Sequence, residues 1–154
     1  MGRGNQKGLT LVELIVAFTI MLVLSSMAVP LARSKIRAER ERALREAQDE
    51  VRRAIDLYHD CNLAGYFGPV KDGTDYYPEN LQMLVDGVKR NDAQGTKMRF
   101  LRRIPIDPFT GKAEWGLRSD QDDPKSTTWG GQNVFDIYSK STDKGSDGTP
   151  YAEW

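Results

Sequence analysis

Glu13 is the residue whose placement most demands a chemical explanation. It is the single charge in the run LTLVELIVAFTIMLVLSSMAV, residues 9–29. That run is about 21 residues, roughly 30 Å as a helix, enough to cross a bilayer. A carboxylate held deep in such a span costs about 2.5–3.5 kcal/mol, so the acid needs a partner or a task. Other candidate chemistry is weak. His59 and Cys61 lie close together, but two ligands at a helix end do not make a zinc site, and no other His or Cys exists. Nothing places a Ser, an Asp and the lone His as a triad. Trp115, Trp129 and Trp154 read as packing residues. The glycines of TTWGGQN read as a turn before a strand, since no helix follows them to hold a phosphate.

The elements that must position Glu13 fall into three zones. Residues 1–8 form a short polar leader, basic through Arg3 and Lys7. The apolar run follows. It exceeds a signal h-region, and no small-x-small cleavage site stands where one belongs. Positive charge ahead of the run favours a cytoplasmic N-terminus, although Arg33, Lys35 and Arg37 follow it and oppose that bias. The helix continues to about residue 60. Ile36, Leu44, Ala47, Val51, Ala54, Ile55 and Tyr58 recur at three- and four-residue intervals, an amphipathic stripe. Glu41–Arg45 and Asp49–Arg53 are i,i+4 pairs on a face expected to be solvated. Pro30 predicts a kink or local melting where the bond to the Ser26 carbonyl is lost. The third zone, residues 61–154, is small and turn-rich. A short helix is expected after Pro78, with proline in its first turn and Gly87 near its end. Strands are expected at residues 112–117 and 132–138.

Composition bounds the function class. The 154 residues hold 22 basic and 22 acidic side chains, so no global field points to nucleic acid. One cysteine, Cys61, excludes an internal disulfide.

The segment Lys7-Gly8-Leu9-Thr10-Leu11-Val12-Glu13-Leu14 resembles the processing site of the type IV pilin superfamily: a basic leader, a glycine, a hydrophobic residue, and glutamate five places after that glycine. The apolar run and Pro30 extend the likeness. The resemblance implies a prepilin peptidase that cuts between Gly8 and Leu9 and methylates the new N-terminus. A cut there frees an amine on Leu9, which Glu13 of a neighbouring subunit can pair, fixing the stagger of packed helices. The alternative is a glutamate that snorkels to the interface alone.

Tyr77-Pro78, Ile104-Pro105-Ile106-Asp107-Pro108-Phe109 and Val134-Phe135-Asp136-Ile137-Tyr138-Ser139 resemble motifs of the major pseudopilins of type II secretion systems. This likeness implies an α+β, pilin-like subunit: a long N-terminal helix, half membrane-spanning and half amphipathic, carrying a small antiparallel sheet. The expected boundaries are leader 1–8, membrane or filament-core helix 9–29, amphipathic helix 30–62 and head 63–154. The resemblance further implies calcium in the loop SKSTDKGSDGTPYAEW, with Asp143, Asp147, Glu153 and the Lys140 carbonyl as oxygen ligands. Lys140 and Lys144 depart from the uncharged residues usual there, and the glycine-rich insertion is shortened. A solvated turn is the alternative.

The implied role is a non-catalytic subunit at the bacterial inner membrane, its head in the periplasm, polymerising with itself and with other pseudopilins to drive protein secretion. Prepilin peptidase and inner-membrane secretion components are the expected partners. A type IV pilus subunit for adhesion, motility or DNA uptake is the nearest alternative. A membrane-anchored enzyme or binding protein is a third, and no catalytic constellation supports it.

Overall fold

The structure is a computed structural model that describes residues 10–154, the side chains of residues 27–32 excepted. Gly8 and Leu9 therefore lie outside the described residues, as does the side chain of Pro30. The fold is α+β and pilin-like: a 53-residue helix α1, Leu11–Leu63, precedes a small antiparallel β region. The chain divides between Glu39 and Arg40 into two compact units.

In the first unit α1 is an apolar helix whose large side chains are exposed, Leu11 at 77% and Leu22 at 70% among them. Two of its hydroxyls, those of Thr19 and Ser26, are absorbed locally. Thr19 Oγ1 donates to the Ile15 carbonyl at 2.8 Å, and Ser26 Oγ to the Val23 carbonyl at 2.8 Å. Neither asks for water, which suits burial in lipid or among other helices. The expected melting at Pro30 does not occur, because α1 is helical through that position. Proline costs a single backbone bond there, and its leucine- and alanine-rich neighbours favour helix. Among the described residues no helix is long and apolar enough to cross a membrane. The apolar run of the sequence begins at Leu9, before the described residues, and its last side chains also lie outside them.

In the second unit, residues 40–154, the amphipathic stripe of α1 makes the core. Leu44, Val51, Ile55 and Tyr58 are buried with Leu81, Leu84, Leu101, Trp115, Val134, Ile137 and Tyr151. Ile36, expected on that stripe, is exposed and belongs to the first unit. Helix α2, Leu81–Asp86, starts later than expected. Asn80 is its N-cap, accepting from the Met83 N–H at 3.0 Å, and Gly87 closes it at φ 80°. Pro78 stands outside, its carbonyl accepting from Val134 N–H at 2.8 Å.

Two separate two-stranded antiparallel sheets follow. In the first, β1 (Val88–Lys89) pairs with β2 (Lys97–Met98). In the second, β3 (Gly116–Arg118) pairs with β4 (Asp136–Tyr138), Gly116 facing Tyr138. Both expected strands are shorter than predicted. Lys112 gives its carbonyl to the Asp107 turn, and Val134 bonds to Pro78, so neither joins the ladder.

Gly116 is required by its partner. A Cβ there would overlap the Tyr138 ring. That ring cannot retreat, because its hydroxyl donates to the Thr127 carbonyl at 2.9 Å and the Arg118 guanidinium lies 4.3 Å over its face. Gly116→Ala is expected to destabilise the head by about 1–3 kcal/mol, a fall of roughly 5–10 °C in the Tm of the full-length chain by circular dichroism. An unchanged Tm would mean that the ring moves freely.

Candidate assembly site and C-terminal loop

Thr10 and Glu13 open α1. Thr10 Oγ1 accepts the Glu13 backbone N–H at 3.3 Å, half of an N-terminal capping box. The pattern Thr-x-x-Glu is the sequence signal for that cap. The cap fixes where the helix begins, and so fixes Glu13 in its first turn. The Glu13 side chain is exposed and has no ion-pair partner among the described residues. A first-turn carboxylate gains about 0.3–1 kcal/mol from the helix dipole. That is less than the cost of holding it in hydrocarbon. Capping alone therefore does not explain an acid here.

The three C-terminal motifs are joined by buried hydrogen bonds. Asp107 is completely buried, and one of its oxygens accepts the Phe109 N–H at 2.8 Å, closing the proline-rich turn. The other accepts Ser139 Oγ at 2.6 Å, tying that turn to the end of β4. Trp115 Nε1 donates to the Pro105 carbonyl at 3.0 Å. Asn133 Nδ2 donates to the Thr74 carbonyl at 3.0 Å and to Asp120 at 2.8 Å, fastening the segment before β4 to the Tyr77-Pro78 region.

The loop after β4 is held by α1. Glu41, 8% exposed, accepts the Ser146 N–H at 2.8 Å, Ser146 Oγ at 2.7 Å and the Tyr151 hydroxyl at 3.1 Å. The Arg45 guanidinium lies 4.3 Å over the Trp154 ring. Arg52 donates to Asp136 at 2.7 Å and to the Trp154 carbonyl at 3.0 Å. Residues 41, 45 and 52 share one edge of the helix, beside the apolar stripe. The i,i+4 spacing of Glu41 and Arg45 predicts a solvated pair, and both are instead recruited by the loop. Asp49 and Arg53 are exposed, with no ion pair between them.

The expected calcium ligands do not converge. Asp147 accepts the Thr149 N–H at 2.9 Å within its own turn. Glu153 lies 3.5 Å from Lys125 Nζ, and the Asp143 carbonyl accepts the Tyr151 N–H. Lys140 is exposed at the start of the loop. Among the described residues no group of three or more His, Cys, Asp or Glu could hold a metal ion. Asp147 spends an oxygen on its own turn, and Glu41 of α1 contributes the carboxylate that fastens the loop. His59 is accounted for by packing, its ring stacked 4.2 Å from that of Tyr77.

Two loop carboxylates are held acidic by backbone donors. Thr149 N–H lowers Asp147, and the N–H groups of Ser119 and Gly130 lower Asp122, both below the usual 3.8. A depressed folded pKa adds stability above the unfolded value, lost as pH falls through the folded one. Exchange protection of the Thr149 and Gly130 amides should therefore persist from pH 7 to about 4 and fade only below the ordinary aspartate range. Loss of protection near pH 5 would contradict those bonds.

Residues 3–29 match the family model described as the prokaryotic N-terminal methylation motif. The match spans the basic leader, Gly8, Leu9, Glu13 and the apolar run. No curated protein and no solved structure gives a match. The chain thus carries a type IV pilin-like signal, which supports a place in the type IV pilin superfamily and a structural subunit rather than an enzyme.

Proposed function

We propose that this chain is a structural subunit of a type II secretion pseudopilus. Prepilin peptidase cuts between Gly8 and Leu9 and methylates Leu9. Residues 1–8 are the leader, 9–29 anchor the subunit in the inner membrane and later line the filament core, 30–62 continue the helix, and 63–154 form a periplasmic head. The mature subunits, with other pseudopilins and the inner-membrane secretion components, form a fibre that drives export.

The observation that carries this reading is the glutamate fixed in the first turn of an apolar helix, five residues past the glycine of a methylation signal. Cleavage creates the cation that Glu13 lacks. Pairing Leu9 of one subunit with Glu13 of the next sets helix stagger, the best-attested use of a buried ion pair. The pseudopilus is favoured over a surface pilus by the Asp107–Ser139 and Pro78–Val134 bonds, which make one unit of the three pseudopilin-like motifs. Cys61 is a buried free thiol, so no disulfide closes the C-terminal loop.

Expression with and without prepilin peptidase tests the first step. Intact mass should fall by residues 1–8 and rise by one methyl group only when the peptidase is present. An unchanged mass would refute the processing claim. Short periplasmic fibres, with secretion lost on deletion of the gene, support the pseudopilus. Long surface fibres with secretion intact would assign the chain to a pilus instead.

A further inference from the structure

The head carries two exposed patches of opposite character on opposite flanks of α1. The first is aromatic. The rings of His59 and Tyr77 stack, Phe135 meets Tyr77 edge-on at 5.2 Å, and Tyr76 meets His59 edge-on at 6.4 Å. Tyr76 is 40% and Phe135 46% exposed. Four exposed carboxylates, Asp56, Asp60, Asp75 and Asp120, surround the patch. Their field reaches the Tyr77 hydroxyl and, after burial, raises its pKa. Asp60 also faces the His59 ring nitrogen at 3.8 Å, and Asp75 takes a bond from Gln121. Asp75 and Tyr76 hold the left-handed backbone region at φ 46° and 68°, a strain found disproportionately where a side chain must be presented.

The second patch is basic. Glu50, Arg102, Arg103, Pro105 and Ile106 line an open pocket of about 440 Å³. Both arginines are exposed, and Ile106 is 60% exposed. Glu50 is the one acid in the lining. Residues 50 and 59 are nine apart on α1, about 180° around the helix, with the packed face of Val51, Ile55 and Tyr58 between them.

A pocket lined by two arginines and by the apolar Pro105 and Ile106 is suited to an aromatic ring flanked by carboxylates, since guanidinium groups stack on rings and pair with acids. Two complementary patches on opposite flanks of one chain make a heterologous contact, which propagates as an open helix. We propose that the aromatic patch of His59, Tyr76, Tyr77 and Phe135 docks into the Arg102–Arg103 pocket of a second copy of this chain. This contact rests on the filament reading above and names the head surface that filament uses.

The test reverses charge on each patch in the full-length chain, co-expressed with prepilin peptidase. Asp56→Lys with Asp60→Lys makes both flanks basic, and Arg102→Glu with Arg103→Glu makes both acidic. All four residues are exposed, so both variants should keep the wild-type Tm. Each alone is expected to lower fibre yield at least about tenfold, and co-expression of the two should restore it to within about threefold, because unlike chains can alternate. Wild-type yield from either single reversal overturns the contact while leaving polymerisation intact. So does failure of the mixture to recover with both variants folded. Absence of fibres from the wild-type chain overturns the filament reading and this contact with it.

Discussion

Glu13→Ala is expected to leave the chain inserted, cut and methylated, yet to lower fibre yield by two to three orders of magnitude. In the proposed scheme the cut and the methyl transfer act at Gly8 and Leu9, which the substitution does not touch. The helix start should also survive, because Thr10 bonds the backbone N–H of residue 13 and not its side chain. What the proposed pairing loses is the acceptor for the Leu9 ammonium of a neighbouring subunit. Removing one partner of a buried ion pair costs about 3–5 kcal/mol, since the other charge is left uncompensated. At 1.4 kcal/mol per tenfold that is roughly a hundred- to a thousandfold or more at each contact. Quantitative immunoblotting of sheared fibres, with intact mass as the processing control, reads both arms. Normal yield from the variant would remove the reason for an acid in this helix.

Glu41→Ala carries the second large effect. The carboxylate is buried and takes three donors, two from Ser146 and one from Tyr151. Hydrogen bonds to a charged group contribute about 1.5–3 kcal/mol, and the Tyr151 hydroxyl would be left buried. A loss of about 2–4 kcal/mol is expected, roughly 10–15 °C in Tm for the full-length chain. Glu41→Gln should recover part of this, since an amide oxygen still accepts. Chelation gives the contrast. The loop is fastened by a side chain from α1, so removing divalent cations should leave the wild-type Tm unchanged. Binding that favours the folded chain would instead raise Tm with calcium concentration. A calcium-dependent rise, with Glu41→Ala silent, would return the loop to a metal-centred design.

The long helix was legible because its signals are redundant: a long apolar run carrying one charge, then a stripe at Leu44, Val51, Ile55 and Tyr58 that the structure buries. The Gly87 stop was legible as well, since a left-handed cap favours glycine. The β region was harder to read. β1 and β2 have two residues each, too few for alternation to register. β3 is cut short by the local bond of Lys112 to the Asp107 turn, and β4 by the bond of Val134 to Pro78, far away in sequence. Glu41 and Arg45 misled for a related reason. Their i,i+4 spacing satisfies the rule for a solvated pair, and local spacing says nothing about a loop more than a hundred residues later. Positions 41, 45, 48 and 52 do form a polar edge beside the apolar stripe, and Gln48 on it is buried. That edge was the available signal that the face is not solvent. For the calcium site, the spacing of acids along the loop was legible, but the direction in which each turn spends its oxygens was not.

The position of the Glu13 carboxylate in an assembled fibre tests the central claim most directly. Helical reconstruction of fibres from the processed chain should place it within about 4 Å of the Leu9 amine of an adjoining subunit. A carboxylate that faces water, or that bonds within its own subunit, would contradict the account.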